Sequence, residues 1–511
     1  MPLPENGAPW PPPQFAGEFR DMRIDDAWYA GDRDRLTKIY AGNQTRADGS
    51  RRLWGRRPPA PGRPDTRMHI PLAGDIAGTS AAMLFSEPPT FTVPDGSTQA
   101  RLDELAEAGG IANRLFEAAE VSAALGGVYL RVTWDAQLAA RPLLTVVHAD
   151  AALPEFRFGL LSAVTFWHEL PSDTATAWRH LERHERGAIT HGLYQGDRDR
   201  LGVRVPLTEH PDVAGIAGSL GEQGDTIETG VDQITAAYVP NMGPNRKHRG
   251  SPLGRSDFQA PIHDLFDALD TTWSSWMRDI KLARARLIVP TGYLRSNGPG
   301  EGASFDLDRE IWQPLNIPPT ESGAAGITLS QFAIRVEEHS RSAEGIVRQA
   351  VQSAGYSAQT FGLGEGPAVT ATEVTARERR SMITRDVKAR YWAPAMADML
   401  HVMLKLDRVL GFSRVAVDER PHIQFGDSVS EDPKTTAETL SLLAQAEAAS
   451  TDTKVRILHP DWSDEQVQAE IVLIQREIGT AVPDPITGGP LPADGQDHET
   501  ATEPARPVHL S

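Results

Sequence analysis

The stretch that most constrains this chain lies near its middle. Phe258, Ile262, Leu265, Phe266, Leu269, Trp273, Trp276, Met277 and Ile280 recur mostly three and four residues apart. That spacing places them on one face of a helix. It predicts a helix over 257–286, about eight turns and roughly 45 Å long at 1.5 Å of rise per residue. Pro261 falls in its first turns, where proline costs least. Lys281, Arg284 and Arg286 fall at its C-terminal end, where the helix dipole favours cations. An apolar stripe of this length must find a surface that buries it.

A small β module follows. Leu287 to Tyr293, Ile311 to Ile317 and Ile327 to Ile334 read as short strands, with a glycine-rich loop at 298–302. Helix returns over 338–354, so the module at 287–337 is inserted between two helices. Next comes a loop at 355–369 with glycines at 355, 362, 364 and 366. Tyr356, Gln359 and Thr360 are its polar groups, and Glu365 is its one charge. Thr370 and Glu373 form a capping box and open a helix that runs to about Leu410. Pro394 lies inside that helix and predicts a kink.

The flanks read differently. Residues 1–20 read as a flexible arm. Residues 46–67 carry seven arginines and four prolines, a basic irregular loop with solvated charges. Residues 70–240 are mixed α+β. Helices at 102–123 break at Gly109-Gly110, and Gly126-Gly127 leads into a strand at 128–134. Strands follow at 143–148, 163–170 and 177–181, with a hairpin return at 187–190. Phe412 to Phe425 supplies short strands. Helices at 433–449 and 463–478, the second capped by Ser463, precede an acidic, proline-rich tail at 480–511 that reads as disordered.

Composition excludes several kinds of chemistry. The chain has 511 residues and no cysteine, so thiolate metal sites, thiol nucleophiles and disulfides are absent. No Gly-Lys dipeptide occurs, which removes the Walker A loop of an ordinary ATPase motor. No stretch reaches the roughly 18 apolar residues of a membrane helix, and the N-terminus lacks the order of a signal peptide. His180 and His184 sit four apart near Glu182. Their context alternates like a strand, so they read as surface histidines on a hairpin rather than half a zinc site. Asp306/Asp308 share a face of an extended segment. Asp32/Asp34 and Asp197/Asp199 read as local charge balance, and Asp25-Asp26 and Glu337-Glu338 as solvated faces. None of these nominates a catalytic, metal or cofactor site. The expectation is a non-enzyme without a cofactor.

The order of elements and five local motifs resemble the portal proteins of tailed bacteriophages, of the siphophage type found in phages of actinobacteria. The motifs are Asp75-Ile76-Ala77 through Glu87-Pro88-Pro89; Ala118-Ala119-Glu120 through Gly126-Gly127-Val128-Tyr129-Leu130; His148-Ala149-Asp150 with Pro154 and Gly159; Val239-Pro240-Asn241 followed by Pro252-Leu253-Gly254-Arg255-Ser256-Asp257-Phe258; and Thr370-Ala371-Thr372-Glu373-Val374. The similarity spans about residues 70–410.

The resemblance implies a ring of about twelve copies around a channel for double-stranded DNA. It assigns 1–69 to an arm and basic loop, 70–256 to an α+β wing, 257–286 and 338–354 to stem helices and 287–337 to a clip. It assigns 355–369 to a tunnel loop, 370–432 to the kinked helix and wing return, 433–479 to a crown and 480–511 to a tail. Tyr356, Gln359, Thr360 and Glu365 would meet DNA, and Lys281, Arg284 and Arg286 would be candidates to line the channel. The implied partners are the terminase large subunit, the head-tail adaptor, and the major capsid and scaffolding proteins. The implied role is passage of the genome in and out of the capsid, and nucleation of capsid assembly. The implied place is the virion, after assembly in the host cytoplasm. Another head-morphogenesis protein and a metal-dependent nuclease are the alternatives, and the second needs a carboxylate cluster for two ions about 4 Å apart. The 51 Lys and Arg against 69 Asp and Glu give a net charge of −18. That argues against tight sequence-independent DNA binding, but not against a channel along which DNA slides.

Overall fold

A computed structural model describes residues 3–42, 49–56, 65–172, 176–217, 220, 224–259, 261–283, 286–288, 295–296, 303–304, 328–330, 334–363, 371–426, 433–446, 448–459, 462 and 464–478. The chain divides into two compact units, Met1–Ser428 and Val429–Ser511.

The first unit opens with helices α1 (Ala16–Ala30), α2 (Arg33–Tyr40) and α3 (Leu72–Phe85). Strand β1 (Thr90–Thr92) leads to α4 (Gly96–Ala108) and α5 (Ile111–Leu125), which break at Gly109-Gly110 as the glycine pair predicts. Then come β2 (Gly127–Thr133), β3 (Leu143–His148), β4 (Ala152–Arg157), β5 (Leu160–Leu170), β6 (Ala177–Glu185), β7 (Ala188–Gly196) and β8 (Val203–Val205). Helix α6 (Pro211–Ala217), β9 (Thr226–Glu228) and β10 (Ala236–Pro240) precede the long helix α7 (Ile262–Leu282). After it lie β11 (Arg286–Ile288), β12 (Arg295–Ser296), β13 (Ala303–Ser304) and β14 (Thr328–Ser330). Helices α8 (Val336–Ala354) and α9 (Ala371–Val409) and strand β15 (His422–Gln424) complete the unit.

The β4-β5-β6-β7-β8 order forms one antiparallel sheet, with β9 also on β7, and β10-β2-β3 forms a second. Strand β2 is buried on both faces. Val128, Leu130 and Val132 join a core with α5 and α9, while Tyr129 packs on Phe166 of the larger sheet. The mixed α+β reading therefore holds. Pairing of β11 with β14 encloses the expected β module, whose predicted strand at 311–317 lies outside the described residues.

Several expectations are corrected. The N-terminal segment is packed, not a flexible arm. Trp10, Phe19, Met22 and Trp28 are buried, and residues 4–10 run along the β7–β8 hairpin. Gly7 N donates to Gly202 O at 2.7 Å, Trp10 N to Asp199 O at 2.8 Å, and Leu201 N to Ala8 O at 2.9 Å. The α7 helix starts at Ile262, with Pro261 just ahead of it rather than within it, so it is about 31 Å long. As the sequence predicts, helix α9 runs on with Pro394 inside it, as one 39-residue element. Asp32 caps α2, accepting from the backbone of Asp34 and Arg35, and Asp197 closes the turn after β7, accepting from that of Asp199 and Arg200. Asp25 is buried against His263 at 2.7 Å, so it belongs to no solvated face.

The described parts of the basic loop are also docked, and the reason is a row of carboxylates on α7. Asp264 pairs with Arg52 at 2.6 Å. Asp267 accepts from Leu53 N at 2.8 Å. Asp270, fully buried, accepts from the Trp54 indole at 2.9 Å and Ile70 N at 2.8 Å, and meets His69 Nδ1 at 2.8 Å. Spacing of three residues turns all three acids to one side of the helix.

His180 and His184 lie on the expected hairpin but are buried between the two sheets. His180 stacks on His191 with Nε2 and Nδ1 3.2 Å apart. Glu182 pairs with His184 at 2.9 Å and Arg131 at 2.6 Å. Burial, then the neighbouring His191, pushes His180 down to about 3. Burial alone would raise Glu182, but His184 and Arg131 outweigh it and hold the carboxyl well below its usual range. Both shifts act in one direction. Below pH of about 6.5 the unfolded chain takes up a proton on His180 that the folded chain refuses, and below about 4.5 the same holds for Glu182. The contribution of these two groups is thus full above pH ~6.5 and is lost as pH falls, His180's toward 3 and Glu182's below about 4.5. Melting followed from pH 7 to pH 4 is expected to show this decline. His180→Phe should flatten its slope by up to about 1.4 kcal/mol per pH unit. An unchanged slope would remove His180 from the explanation.

The second unit holds α10 (Pro433–Gln445), α11 (Thr451–Leu458) and α12 (Asp464–Ile478). The sequence expectation missed α11, which Ser450 caps through Thr453 N. The predicted cap Ser463 and the tail at 480–511 lie outside the described residues.

Candidate functional site

Helices α7 and α8 pack as a pair in the first unit, and the segments expected to meet DNA sit at their two ends. At the end farthest along α7, Asp279 accepts from Arg335 at 2.7 Å and His339 at 3.0 Å. The His339 ring stacks on Trp276, which lies 5.0 Å from Trp273. The apolar stripe of α7 is thus only partly spent on α8. Ile280 and Leu282 remain exposed, and so does Lys281. Arg284 lies outside the described residues. Arg286 opens β11 opposite Ser330.

At the other end, Gly355 takes a left-handed conformation (φ 104°) and stops α8. The chain then turns inward, and Tyr356 is 1% exposed, buried rather than presented at a surface. This corrects the sequence expectation for Tyr356. Its hydroxyl donates to Asp257 Oδ2 at 2.8 Å. The Lys388 ammonium of α9 donates to that same oxygen at 2.7 Å, to the Tyr356 hydroxyl at 2.9 Å and to Ser80 of α3 at 2.7 Å. Asn241, after β10, donates to Asp257 Oδ1 at 2.9 Å. Burial pulls the Lys388 ammonium below its usual pKa against the opposing pull of Asp257. Burial, then the Asp257 charge, lifts the Tyr356 phenol well above its own.

The rest of the loop follows α9. Ala358–Phe361 forms a short 3-10 turn. Thr360 and Ser357 hydroxyls both meet Ser381 of α9, at 2.8 and 2.9 Å. Gln359 and Thr360 are half-buried, and Glu365 lies outside the described residues. Among the described residues, no group of three His, Asp or Glu side chains is placed to hold a metal ion, and no helix is long and apolar enough to cross a membrane.

The motif at 239–258 and the helix-to-strand motif at 118–130 meet here. A Cβ on Gly254 would fall 2.3 Å from Gly126 O, and Gly126 itself needs its left-handed φ of 86°. Asn241 N donates to Gly126 O, and Asp257 N to Ala123 O. The loop before α7 is therefore pressed against the α5–β2 turn, and only glycine fits between them.

The chain matches the family model "Phage portal protein, SPP1 Gp6-like" over residues 18–484. It belongs to that phage portal family. Comparison with curated proteins gives no match. Among solved structures, a chain of the "Virion of native gene transfer agent (GTA) particle" is 13% identical, covering 89% of this chain and 96% of that one with a TM-score of 0.40, a likeness too slight to add to the assignment.

In this portal-family chain the sequence reasoning found Asp257 only as part of a motif, and missed Lys388 altogether. One signal was present. Lys388 directly follows Val387 and lies four residues before Trp392 and eight before Met396, on the buried side of α9. A lone cation at helical spacing with core residues implies a buried acid somewhere, but not which one.

Proposed function

We propose that this portal-family chain forms a ring of about twelve copies at one capsid vertex, and that double-stranded DNA enters and leaves through its channel. The observation that carries this is the family match across nearly the whole chain. The family is structural rather than enzymatic, and we assign this chain no catalytic step. In this reading residues 70–256 are the wing, α7 and α8 the stem, 287–337 the clip and 433–479 the crown. The clip docks the terminase large subunit and later the head-tail adaptor. The ring also nucleates assembly of the major capsid and scaffolding proteins. Lys281, Arg284 and Arg286 are proposed to line the channel, and Gln359, Thr360 and Glu365 to belong to the loop that DNA passes. The exposed position of Lys281 supports its part. Each copy brings a net charge of −18, which suits sliding better than holding of a polyphosphate.

Electron microscopy of the purified chain is expected to show rings with a central hole. Substituting Lys281, Arg284 and Arg286 together by Gln should leave those rings intact and change the rate at which proheads fill with DNA. Monomers that cleave DNA with magnesium would overturn the assignment. An unchanged filling rate would overturn only the role of the three cations.

A further inference from the structure

Helix α9 meets the loop after α8 with one line of side chains. Ser381, Thr384 and Lys388 stand three and four residues apart, on one face of the helix, and all three are buried. Each holds a different residue of the loop. Thr384 Oγ1 donates to Gly355 O at 2.6 Å, and Lys388 Nζ donates to the Tyr356 hydroxyl at 2.9 Å. Ser381 Oγ accepts from Ser357 N at 2.8 Å. The approach is close: a Cβ on Gly355 would fall 3.1 Å from Thr384 Oγ1. The bonds back to α8 are the backbone bonds that end it, Gly355 N to Gln352 O and Tyr356 N to Val351 O, both at 3.1 Å.

Beyond Ser357 the hold is a triangle of hydroxyls. Ser381 Oγ lies 2.9 Å from Ser357 Oγ and 2.8 Å from Thr360 Oγ1, and those two lie 3.0 Å apart. A hydroxyl has one proton to give and two lone pairs. Around the triangle each hydroxyl can therefore donate once and accept once, and Ser381 keeps its second lone pair for Ser357 N. Such a cycle satisfies every donor in it, and its members polarise one another. Ser381 is 0% exposed and Ser357 8%, so a lost partner is not simply replaced by water.

We infer that Ser381 is a positioning residue for the loop, and that Thr360 is the anchor it holds rather than a contact for DNA. The functional half of this rests on the reading of 355–369 as the loop that DNA passes. The Thr360 hydroxyl is engaged inside the triangle, so it has no free proton to offer a phosphate. Ser381, Thr384 and Lys388 together tie Gly355, Tyr356, Ser357 and Thr360 to α9, and the loop takes its position from that helix.

Hydrogen exchange on the full chain, resolved to single amides, tests the anchor. Ser381→Ala is expected to speed exchange of the Ser357 amide about ten-fold or more. Alanine suits a helix at least as well as serine, so the amides of 396–406 in α9 should be unchanged. Thr360→Val is expected to speed exchange over 358–363, and Thr360→Ser, which keeps the hydroxyl, to leave it as it was. In the Ser381→Ala background Thr360→Val should add little, because its partner is already gone. An unchanged Ser357 amide in Ser381→Ala would overturn the positioning role of Ser381. The rate at which proheads fill with DNA is the second readout. Ser381→Ala and Thr360→Val are each expected to change it, and the double substitution to change it no further. A double effect equal to the product of the single effects would mean that Thr360 meets DNA on its own account, and would overturn its assignment as anchor. Faster exchange with an unchanged filling rate in all three variants would overturn the reading of this loop as the one DNA passes, and the hold of Ser381 on it would stand.

Discussion

Replacing Lys388 with methionine is expected to destabilise the first unit by about 3–5 kcal/mol. The reason is the position of its partner. Asp257 is 5% exposed, and in the variant its carboxylate keeps Tyr356 and Asn241 but loses the ammonium that pairs with it at 2.7 Å. A buried charge with its counter-ion removed costs far more than the pair contributed. Changing Asp257 to Asn as well should recover part of the loss, because the uncompensated charge goes with it. Melting followed by near-ultraviolet circular dichroism measures both. A cost under about 1 kcal/mol for Lys388→Met would mean that water reaches the pair. A functional consequence accompanies the energetic one. Asp257 leads into α7, Tyr356 ends α8, and Lys388 belongs to α9. The variant therefore loosens both helices of the proposed stem at their shared root.

The second large effect belongs to Asp270. Truncation to alanine leaves the Trp54 indole, Ile70 N and His69 without their shared acceptor in a buried site. Each orphaned donor costs about 1–3 kcal/mol, so the three together put the expected loss at about 3 kcal/mol or more. Residues 49–56 and 65–70 should then come away from α7, and trypsin should cut among the arginines at 46–67 well before the rest of the chain. Asp264→Ala is the control. Its ion pair with Arg52 is partly exposed, and such pairs contribute about 0–1 kcal/mol. Equal sensitivity of the two variants to trypsin would refute the distinction between a buried acceptor and a surface pair.

These two sites show what could be read in advance. Local signals were legible wherever the cause was local. The glycine pair at 109–110 separates α4 from α5, Gly126 ends α5, and alternation located β3 at Leu143–His148 and the β6–β7 hairpin. The order of helix, β module and helix placed the chain with the portal proteins, and the family match bears that out. Side chains whose state depends on distant partners were misread. Asp25, His180 and His184 were assigned to solvent and Tyr356 to a loop meeting DNA, and all four are buried. The basic stretch at 46–67 was read as solvated, yet Leu53 and Trp54 are core residues.

The physical reason is the same in each case. A carboxylate, an imidazole or a phenol has one identity in the sequence and two environments available to it. Periodicity, caps and turn residues act over three or four positions, so the sequence by itself determined the elements, their order and the family to which they belong. Lys388 finds Asp257 across 131 residues, and Asp270 finds Trp54 across 216. Only the tertiary structure brings such groups together, and desolvation turns ordinary surface-type residues into the buried ties that join residues 49–56 and helix α9 to the α7–α8 pair.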